Sequence, residues 1–353
     1  MNWRRSAVMA TALLACLGVS AAMTTTATAS PAARAGRSVG SPIVTRAEAD
    51  RIGALWTPER MRTARDADVA AAAAPKPAAV TSGAVTAGSP ASIAGAPPAG
   101  ARPVPRPEDH AAIRPDGYPY LFNAWDPTSQ AWPYSTVGRL FFTDDTGQGF
   151  GCSGSVVVAG NKSTVDTAGH CVFNADTKKW FSNWSFCPAY RDGKCPYGTW
   201  VARQAWTRSE WQNKQWEYDL GEVVMWYNSR GPLTDIVGSA GIAWNYDRNQ
   251  YFEHLGYPFY PPFSGNLHEC DAPYATQENP DGVLGISGPN TIGIGCDSTE
   301  GSSGGPWFFG FNSGSSGWVN GHTSYSYDDR PLTKYSPYFG STARDLYNTA
   351  ANS

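Results

Sequence analysis

Charge is scarce in this sequence, and no stretch of it is strongly basic. Charged residues make up 16% of the 353 positions, and the formal net charge is -3. Proteins that bind nucleic acid carry a basic patch or stripe, so the composition argues against a nucleic-acid partner. After the N-terminal region there is also no apolar run of the ~20 residues that a membrane-spanning helix needs, which argues against a membrane anchor.

Two metal-binding patterns are missing as well, since there is no C-x-x-C pair and no H-E-x-x-H. The cysteines therefore do not indicate a zinc site, and we expect no metal and no cofactor. Of the 7 cysteines, Cys16 lies in the N-terminal apolar run, which leaves six, an even number typical of disulfides in an oxidising compartment. Six cysteines allow 15 connectivities, and proximity in the chain favours three pairs. These pairs are Cys152 with Cys171, Cys187 with Cys195, and Cys270 with Cys296.

The N-terminus has the layout of an export signal. Arg4 and Arg5 precede an apolar run over residues 7–23, and the small residues at 27–29 offer a cleavage site. We assign residues 1–29 to a signal peptide and expect a secreted, extracellular protein. A twin-arginine signal fits poorly, because Ser-Ala-Val follows the two arginines.

Residues 30–117 are assigned to a pro-region that ends in an Ala/Pro-rich linker. Residues 45–68 predict a helix, and residues 70–106 predict a disordered linker because they are rich in Ala, Pro, Gly and Ser. A passive stalk is the alternative, and we place the cleavage point between residues 106 and 135. The apolar positions of the helix are Ile52, Leu55, Trp56 and Met61.

From residue 118 onward the composition can support a large core, because most of the aromatic residues lie there. Short apolar runs alternate with clusters of Gly, Asn, Asp and Pro, which predicts an all-β domain over residues 118–353. A C-terminal helix over residues 341–348, capped by Ser341, is the exception. The apolar runs include residues 137–143, 154–158, 163–168, 220–225, 292–294, 307–309 and 318–321.

The sequence Gly-Ser-Ser-Gly-Gly-Pro at residues 301–306 is the first indication of chemistry. Glycines beside Ser303 let backbone N–H groups approach a reacting carbonyl. Ser303 is therefore a candidate nucleophile, and the N–H groups of Gly301 and Ser303 are a candidate oxyanion hole. The same composition also suits a flexible loop, so the hypothesis needs a base and an acid elsewhere.

His170 and Asp219 are the candidates for those two roles. Among the 5 histidines, His170 ends an apolar strand at a glycine turn and is followed by a cysteine that would fix the turn. Asp219 leads into an apolar run, where burial against an imidazole would hold the tautomer that a general base needs. Asp235 has a similar setting and is the second candidate for the acid.

The order of these residues separates families of hydrolases. Gly301-x-Ser303-x-Gly305 fits the nucleophile elbow of α/β-hydrolases, which need an acid and then a histidine after the serine. Only His322 follows Ser303, with no Asp or Glu between them, which disfavours an esterase of that fold. The order histidine, aspartate, serine is that of the chymotrypsin-like barrels.

Two motifs resemble those of trypsin-like serine peptidases. Thr-Ala-Gly-His-Cys at 167–171 resembles their histidine signature, and residues 301–306 resemble their serine signature. The segments at 137–142 and 151–157 resemble the secreted bacterial branch grouped with V8-like glutamyl endopeptidases. The resemblance spans about residues 130–350. It implies two antiparallel six-stranded β-barrels with the site between them.

The resemblance also implies the activity, which is that of a secreted serine endopeptidase. His170 would take the proton of Ser303, the serine would attack the scissile carbonyl, and water would hydrolyse the acyl-enzyme. Substrates would be proteins or peptides, and we expect a monomer. Animal relatives usually place Asp before the nucleophile to pair with the freed N-terminus, but this chain has Ser302 there. A catalytically inactive binding module on the same barrel is the alternative function.

Residues near the serine give conflicting indications about specificity. Asp297 lies where trypsins carry the acid that binds Arg or Lys, and Ser298 also matches. His322 and Ser324 lie near the segment where glutamyl endopeptidases carry a pocket histidine. All four are candidate substrate-binding residues.

Overall fold

Six strands close into an antiparallel barrel in the computed structural model. They are β5 (Val137–Thr143), β6 (Gly149–Val157), β7 (Thr164–Ala168), β10 (Ser182–Pro188), β11 (Trp200–Arg208) and β12 (Leu220–Met225). β10, β5, β6, β7 and β12 follow one another in the sheet, and β11 pairs with both β10 and β12, which closes the ring. The runs predicted at 137–143 and 220–225 have the bounds of β5 and β12.

The register of β7 and β12 positions the site. Leu220 pairs with Ala168 and Gly221 with Thr167, so the start of β12 lies beside the end of β7. Asp219 directly precedes β12 and His170 follows β7 within two residues. The ladder therefore brings together two residues that are 49 positions apart in the chain.

A second sheet of ten strands contains the serine loop. Its order is β19-β20-β16-β15-β14-β17-β18-β13-β3, with β4 paired to β15. Ser303 lies between β16 and β17, in the loop that joins these two strands. The strands are β3 (Ala91–Ile93), β4 (Asn123–Ala124), β13 (Gly241–Trp244), β14 (Tyr251–Gly256), β15 (His268–Glu278), β16 (Thr291–Gly295), β17 (Pro306–Phe309), β18 (Trp318–His322), β19 (Tyr325–Tyr327) and β20 (Arg330–Ser336).

The helices are few and short, as expected of an all-β domain. The C-terminal helix extends to Ala351, beyond the predicted end at 348, and its N-cap is Gly340 rather than Ser341, with no side-chain cap hydrogen bond. In the part of the chain that the structure describes, no helix is long and apolar enough to cross a membrane. The helices are α1 (Arg46–Leu55), α2 (Pro58–Thr63), α3 (Ser209–Gln212), α4 (Leu233–Val237) and α5 (Ser341–Ala351), and a two-stranded ribbon is formed by β8 (Phe173–Asn174) and β9 (Lys179–Trp180).

The N-terminal segment 36–67 packs on the first barrel. Thr45 and Glu48 form a capping box that starts α1, and the helix predicted over 45–68 is divided into α1 and α2 before Pro58. Trp56 is buried, and its indole N–H donates to the Asn183 carbonyl at 2.7 Å. Two flanking strands, β1 (Ser38–Gly40) and β2 (Arg65–Asp66), extend the barrel by pairing with β11 and β6.

One part of the predicted disordered linker is ordered. Within residues 88–101, β3 pairs antiparallel with β13, and Ala96 forms a bridge with Ser239. The Ala/Pro-rich composition did not predict this strand. An edge strand pairs mainly through its backbone N–H and C=O groups, which the side chains do not reveal. The signal peptide and residues 68–87 and 102–122 lie outside the described residues, which are 36–67, 88–101, 123–124, 131–259, 265–281, 288–311 and 315–353.

Candidate active site

His170 lies in a turn that is constrained on both sides. β7 ends at Ala168 and continues directly into the 3-10 turn Gly169–Cys171. A disulfide with an S–S distance of 2.03 Å joins Cys171 to Cys152 on β6, the pair that chain proximity favours. Only 3% of His170 is exposed, so the turn, the disulfide and its hydrogen bonds hold the ring in place.

Asp219 is fully buried, and its carboxylate holds the histidine at two points. Oδ1 accepts the backbone N–H of His170 at 2.7 Å, and Oδ2 lies 2.7 Å from His170 Nδ1. The Ser324 hydroxyl donates to Oδ2 at 2.5 Å. Burial raises the pKa of Asp219, but the charge of His170 and the hydrogen bonds from His170 and Ser324 outweigh it and hold the pKa below its usual range. A carboxylate only accepts hydrogen bonds, so Nδ1 carries a proton, and in the neutral imidazole the lone pair is on Nε2.

Asp235, the second candidate for the acid, lies elsewhere. It belongs to α4, its side chain is 47% exposed, and Oδ1 lies 3.1 Å from Lys162 Nζ. An exposed ion pair of this kind contributes little to stability and orients no histidine. Asp219 is the acid that the fold brings to His170.

The serine loop is built from tight backbone hydrogen bonds. The Ser302 hydroxyl donates to the Thr299 carbonyl at 2.7 Å, and the Gly305 N–H donates to the Ser302 carbonyl at 2.8 Å. The Ser153 N–H on β6 donates to the Ser303 carbonyl at 2.7 Å, and the Gly304 N–H donates to the Thr323 carbonyl at 2.7 Å. These contacts fix Ser303 between the barrel and the second sheet.

Two glycines of the loop are required by its geometry. Gly301 has φ +93°, and a Cβ built there would lie 2.8 Å from the Tyr257 carbonyl oxygen. Gly304 has φ +75°, and a Cβ there would lie 2.1 Å from Thr167 Oγ1. Side chains at these positions would be both strained and obstructed, so the glycine pattern reflects a rigid turn and not a linker.

The loop reaches the histidine turn directly. The Ser303 carbonyl oxygen lies 3.9 Å from Cys171 Sγ, and Cys171 is the residue next to His170. The Ser153 hydroxyl donates to the Gly301 carbonyl at 2.9 Å and accepts the Tyr257 N–H at 2.9 Å, which ties the loop to both sheets. His170, Asp219 and the Ser303 loop thus meet at one place in the fold.

A buried cation lies behind the loop. Arg139 on β5 is 1% exposed, and its guanidinium lies 3.3 Å from the centre of the Phe259 ring. Phe259 in turn donates its N–H to the Glu300 carbonyl at 2.9 Å, just before Gly301. Burial lowers the pKa of Arg139 to about 10, and the nearby Asp66 of the N-terminal segment opposes that shift. The N-terminal segment therefore supplies an acidic residue that acts on the cation behind the loop.

His254 is a histidine that sequence reasoning left without a role. It is fully buried beside Trp307, and its Nε2 lies 3.2 Å from Thr323 Oγ1. Burial lowers its pKa to about 3, so it is neutral at neutral pH. It packs beneath the serine loop, where a Cβ on Gly305 would lie 3.2 Å from its ring.

Two predicted substrate-binding residues have other partners. The Ser324 hydroxyl is directed at the Asp219 carboxylate. His322 is 0% exposed, with Nδ1 3.0 Å from Asp166 Oδ1 and Nε2 2.9 Å from the Asp219 carbonyl oxygen. Both ring nitrogens are engaged inside the protein, and the assignment of His322 to substrate binding stays a prediction. The apolar run around Asp166 did not indicate that this residue would be the buried partner of His322.

Asp297 and Ser298 lie between β16 and the serine loop. Ser298 is 1% exposed, while Asp297 is partly exposed and its charge contributes to the raised pKa of Cys270. Their assignment to substrate binding stays a prediction.

The other cysteines divide into one bonded pair and two thiols. Cys187 and Cys195 form the second expected disulfide, with Cα atoms 5.5 Å apart. Cys270 and Cys296 are buried thiols, and burial together with a hydrogen bond to Cys296 raises the pKa of Cys270. The two residues are neighbours, but the expected bond between them is not formed.

Two buried carboxyl groups, those of Glu217 and Asp281, lie at the turn that precedes Asp219. The Trp216 N–H donates to Asp281 Oδ2 at 2.5 Å, and the Asp281 N–H donates to Glu217 Oε1 at 3.2 Å. Burial, followed by the hydrogen bond to Asp281 and its charge, raises the pKa of Glu217 to about 9. Glu217 is therefore neutral at neutral pH and ties the turn Trp216–Tyr218 to the end of β15.

The chain is similar to several solved proteases. It is 36% identical to protease Anisep from Arthrobacter nicotinovorans, covering 66% of this chain and 100% of that one, with a TM-score of 0.57. A thermostable serine protease, AL20, from an extremophilic microorganism is 37% identical, with 62% and 98% coverage and a TM-score of 0.55. A Glu endopeptidase at 16% identity and a TM-score of 0.52, covering 66% of this chain and 97% of that chain, shares the fold alone.

Sequence comparison adds a shorter match. An extracellular metalloprotease of Bacillus subtilis is 31% identical over 114 residues, which is 29% of this chain. The match spans 35% of that relative's length. No model of a protein family matches the chain.

Proposed function

The chain belongs to the chymotrypsin-fold serine proteases, and we propose that it is a secreted endopeptidase that cleaves through a covalent acyl-enzyme on Ser303. The observation that carries the proposal is the buried Asp219–His170 pair, with two contacts of 2.7 Å, beside the Ser303 loop. Secretion is supported by two disulfides, which persist in oxidising compartments, and by the extracellular B. subtilis relative.

The first half of the reaction forms the acyl-enzyme. Nδ1 of His170 donates to Asp219, so Nε2 can accept the hydroxyl proton of Ser303 while Oγ attacks the scissile carbonyl carbon. The carbonyl oxygen becomes an oxyanion, which we assign to the N–H groups of Gly301 and Ser303. The imidazolium then gives its proton to the leaving amine, the C–N bond breaks, and the serine ester remains.

The second half reverses these roles with water. Nε2 takes a proton from a water molecule, whose oxygen attacks the ester carbonyl, and the same N–H groups hold the second oxyanion. The imidazolium returns its proton to Ser303 Oγ as the ester bond breaks and the carboxylic acid leaves. The buried carboxylate of Asp219 stabilises the imidazolium in both halves.

The test of this proposal is labelling by a fluorophosphonate, which reacts with activated serines. We expect rapid labelling of the protein and loss of both labelling and peptide cleavage in Ser303→Ala. Ser341→Ala, at an exposed position of α5, is the matched control and keeps both. A protein that folds but shows neither labelling nor cleavage would instead be an inactive binding module on the same barrel.

Substrate preference is proposed to involve Asp297, which lies just before the serine loop and is partly exposed. A carboxylate there would favour Arg or Lys before the scissile bond. Peptides that differ only in Arg, Lys, Glu or Phe at that position measure the preference. Full activity of Asp297→Ala on the Arg peptide would remove Asp297 from this role.

Residues 30–117 are proposed to assist folding. The support is that residues 36–67 and 88–101 add strands to both sheets and bury Trp56 and Met61 against the first barrel. Activity would then depend on this region and not on an N-terminal amine paired with an acid, since Ser302 occupies that position. Equal yield and activity of residues 118–353 produced alone would overturn this proposal.

A further inference from the structure

A second histidine–carboxylate pair lies directly behind Asp219. His322, the last residue of β18, has Nδ1 3.0 Å from Asp166 Oδ1 and Nε2 2.9 Å from the backbone carbonyl oxygen of Asp219. The side chains of His322 and Asp166 are 0% and 4% exposed. The edge of His322 packs against the ring of Phe339 at a centroid distance of 5.3 Å, so the pair is closed off from water.

The contacts fix the protons on His322. A carbonyl oxygen can only accept, so the 2.9 Å contact requires a proton on Nε2. A second proton must then lie between Nδ1 and the carboxyl of Asp166, because two lone pairs would repel at 3.0 Å. Wherever that shared proton lies, the pair has no net charge and Nε2–H points at Asp219. The carboxylate of Asp166 thus determines which nitrogen donates to the catalytic segment.

The acidic neighbours of this pair are consistent with that state. Glu222 on β12 is opposite Asp166 in the ladder, and burial together with the charge of Asp166 raises its pKa well above the usual range. Burial lowers the pKa of His322, but Asp166 outweighs it and raises the pKa above the usual value. Asp219 is the other carboxylate that acts on His322.

The pair joins the three segments that carry the reaction. Asp166 lies on β7, four residues before His170, and His322 lies two residues before Ser324, whose hydroxyl holds the Asp219 carboxylate. His322 comes from the second sheet, whereas Asp166 and Asp219 belong to the first barrel. One imidazole therefore connects the strand that leads to the base, the peptide of the acid and the segment whose hydroxyl contacts the acid.

Stability alone does not account for such a pair. A buried ion pair is often no more stable than well-packed apolar residues of the same volume, and His322 packs against the aromatic ring of Phe339. An apolar side chain in place of His322 could not donate a hydrogen bond to the Asp219 carbonyl. This carbonyl lies at the point where the chain passes from the turn Trp216–Tyr218 into β12 with ψ 60°.

We propose that His322 is a positioning residue for the proteolytic reaction, which sets the Asp219 peptide through Nε2 and is itself oriented by Asp166. The proposal rests on the proposed roles of His170, Asp219 and Ser303. When the Asp219 peptide is not held, its carboxylate can shift away from His170 Nδ1. A misplacement of about 1 Å at a reacting group can cost about 10²-fold in rate.

The experiment compares kcat and KM for peptide cleavage in His322→Ala, His322→Gln and the parent protein. We expect His322→Ala to lower kcat by about 10- to 100-fold, with KM within about 2-fold, because this residue is fully buried. Gln retains an N–H donor, so His322→Gln recovers most of kcat. His268→Gln, a histidine on β15 whose Nδ1 contacts the Asn266 carbonyl at 2.8 Å, is the control and leaves kcat unchanged.

Each outcome decides the proposal. If His322→Ala does not fold, the double variant Asp166→Asn with His322→Phe removes the buried charge and fills the space, and the same fall in kcat is expected. If a folded variant without the donor keeps the parental kcat, and Ser303→Ala is inactive, the role of His322 is overturned and the proposed function stands. Activity in Ser303→Ala would instead refute the proposed function. A rise in KM alone would place His322 in substrate binding and contradict positioning.

Discussion

Replacement of Gly301 by alanine tests one of the two N–H donors of the proposed oxyanion hole. The added Cβ would lie 2.8 Å from the Tyr257 carbonyl oxygen and 2.8 Å from Phe259 Cδ2. The Tyr257 backbone is held by Ser153, which also holds the Gly301 carbonyl, so neither side can yield without moving the loop. We therefore expect the Gly301 N–H to be displaced from the position where the oxyanion forms.

The magnitude has two separable parts. An alanine at φ +93° is in the left-handed region, which costs about 1–2 kcal/mol of folding free energy. Displacement of one oxyanion-hole donor lowers the rate by about 10²–10³-fold, or about 2.7–4 kcal/mol of transition-state stabilisation. The first part affects stability, and the second affects kcat.

Gly147 provides a matched control for the first part. It also has a positive φ, +84°, but a Cβ there would meet nothing within 4 Å. Gly147→Ala should lose a similar amount of free energy of unfolding in urea and keep the parental kcat/KM, whereas Gly301→Ala loses both. A Gly301→Ala protein with kcat/KM within about 3-fold of the parent would refute the role given to this N–H, because that loss is far below the expected 10²-fold.

Three further substitutions probe the buried charges. Asp219→Asn should lower kcat by about 10⁴-fold because the wrong histidine tautomer is favoured, while Asp235→Asn, in an exposed ion pair, leaves peptide cleavage unchanged. Glu217 has a raised pKa of about 9, so its contribution to stability is present below the usual glutamate pKa and is lost as pH rises towards 9. The free energy of unfolding, measured in urea, should fall by up to about 1.4 kcal/mol per pH unit over this range, and Glu217→Gln should flatten that slope. Asp66→Asn should lower the free energy of unfolding by about 1–3 kcal/mol, because the buried guanidinium of Arg139 loses a nearby opposite charge; an unchanged urea midpoint would contradict this.

The strands and the two segments that carry His170 and Asp219 could be predicted from local patterns. Apolar runs of strand length predicted the bounds of β5 and β12, and the residue order together with the glycine turn identified His170. These features depend on neighbours in the chain, so the sequence carries them directly.

Long-range pairings were not accessible in the same way. The edge strand β3 satisfies backbone groups, and its side chains carry no distinctive pattern. His322 lies 156 positions from Asp166, so its burial between Asp166 and the Asp219 carbonyl follows from the packing of two sheets and not from its neighbours in the chain. The same applies to the contact between the Ser324 hydroxyl and the Asp219 carboxylate, which joins residues 105 positions apart.

The central claim is that peptide bonds are cleaved through an ester on Ser303, and the intact mass of protein quenched during turnover of an activated ester substrate tests it most directly. We predict a mass increase equal to the acyl group, located by fragmentation to Ser303 and absent in Ser303→Ala. Cleavage of peptides by a protein that never carries this adduct, or an adduct located at another residue, would contradict the account.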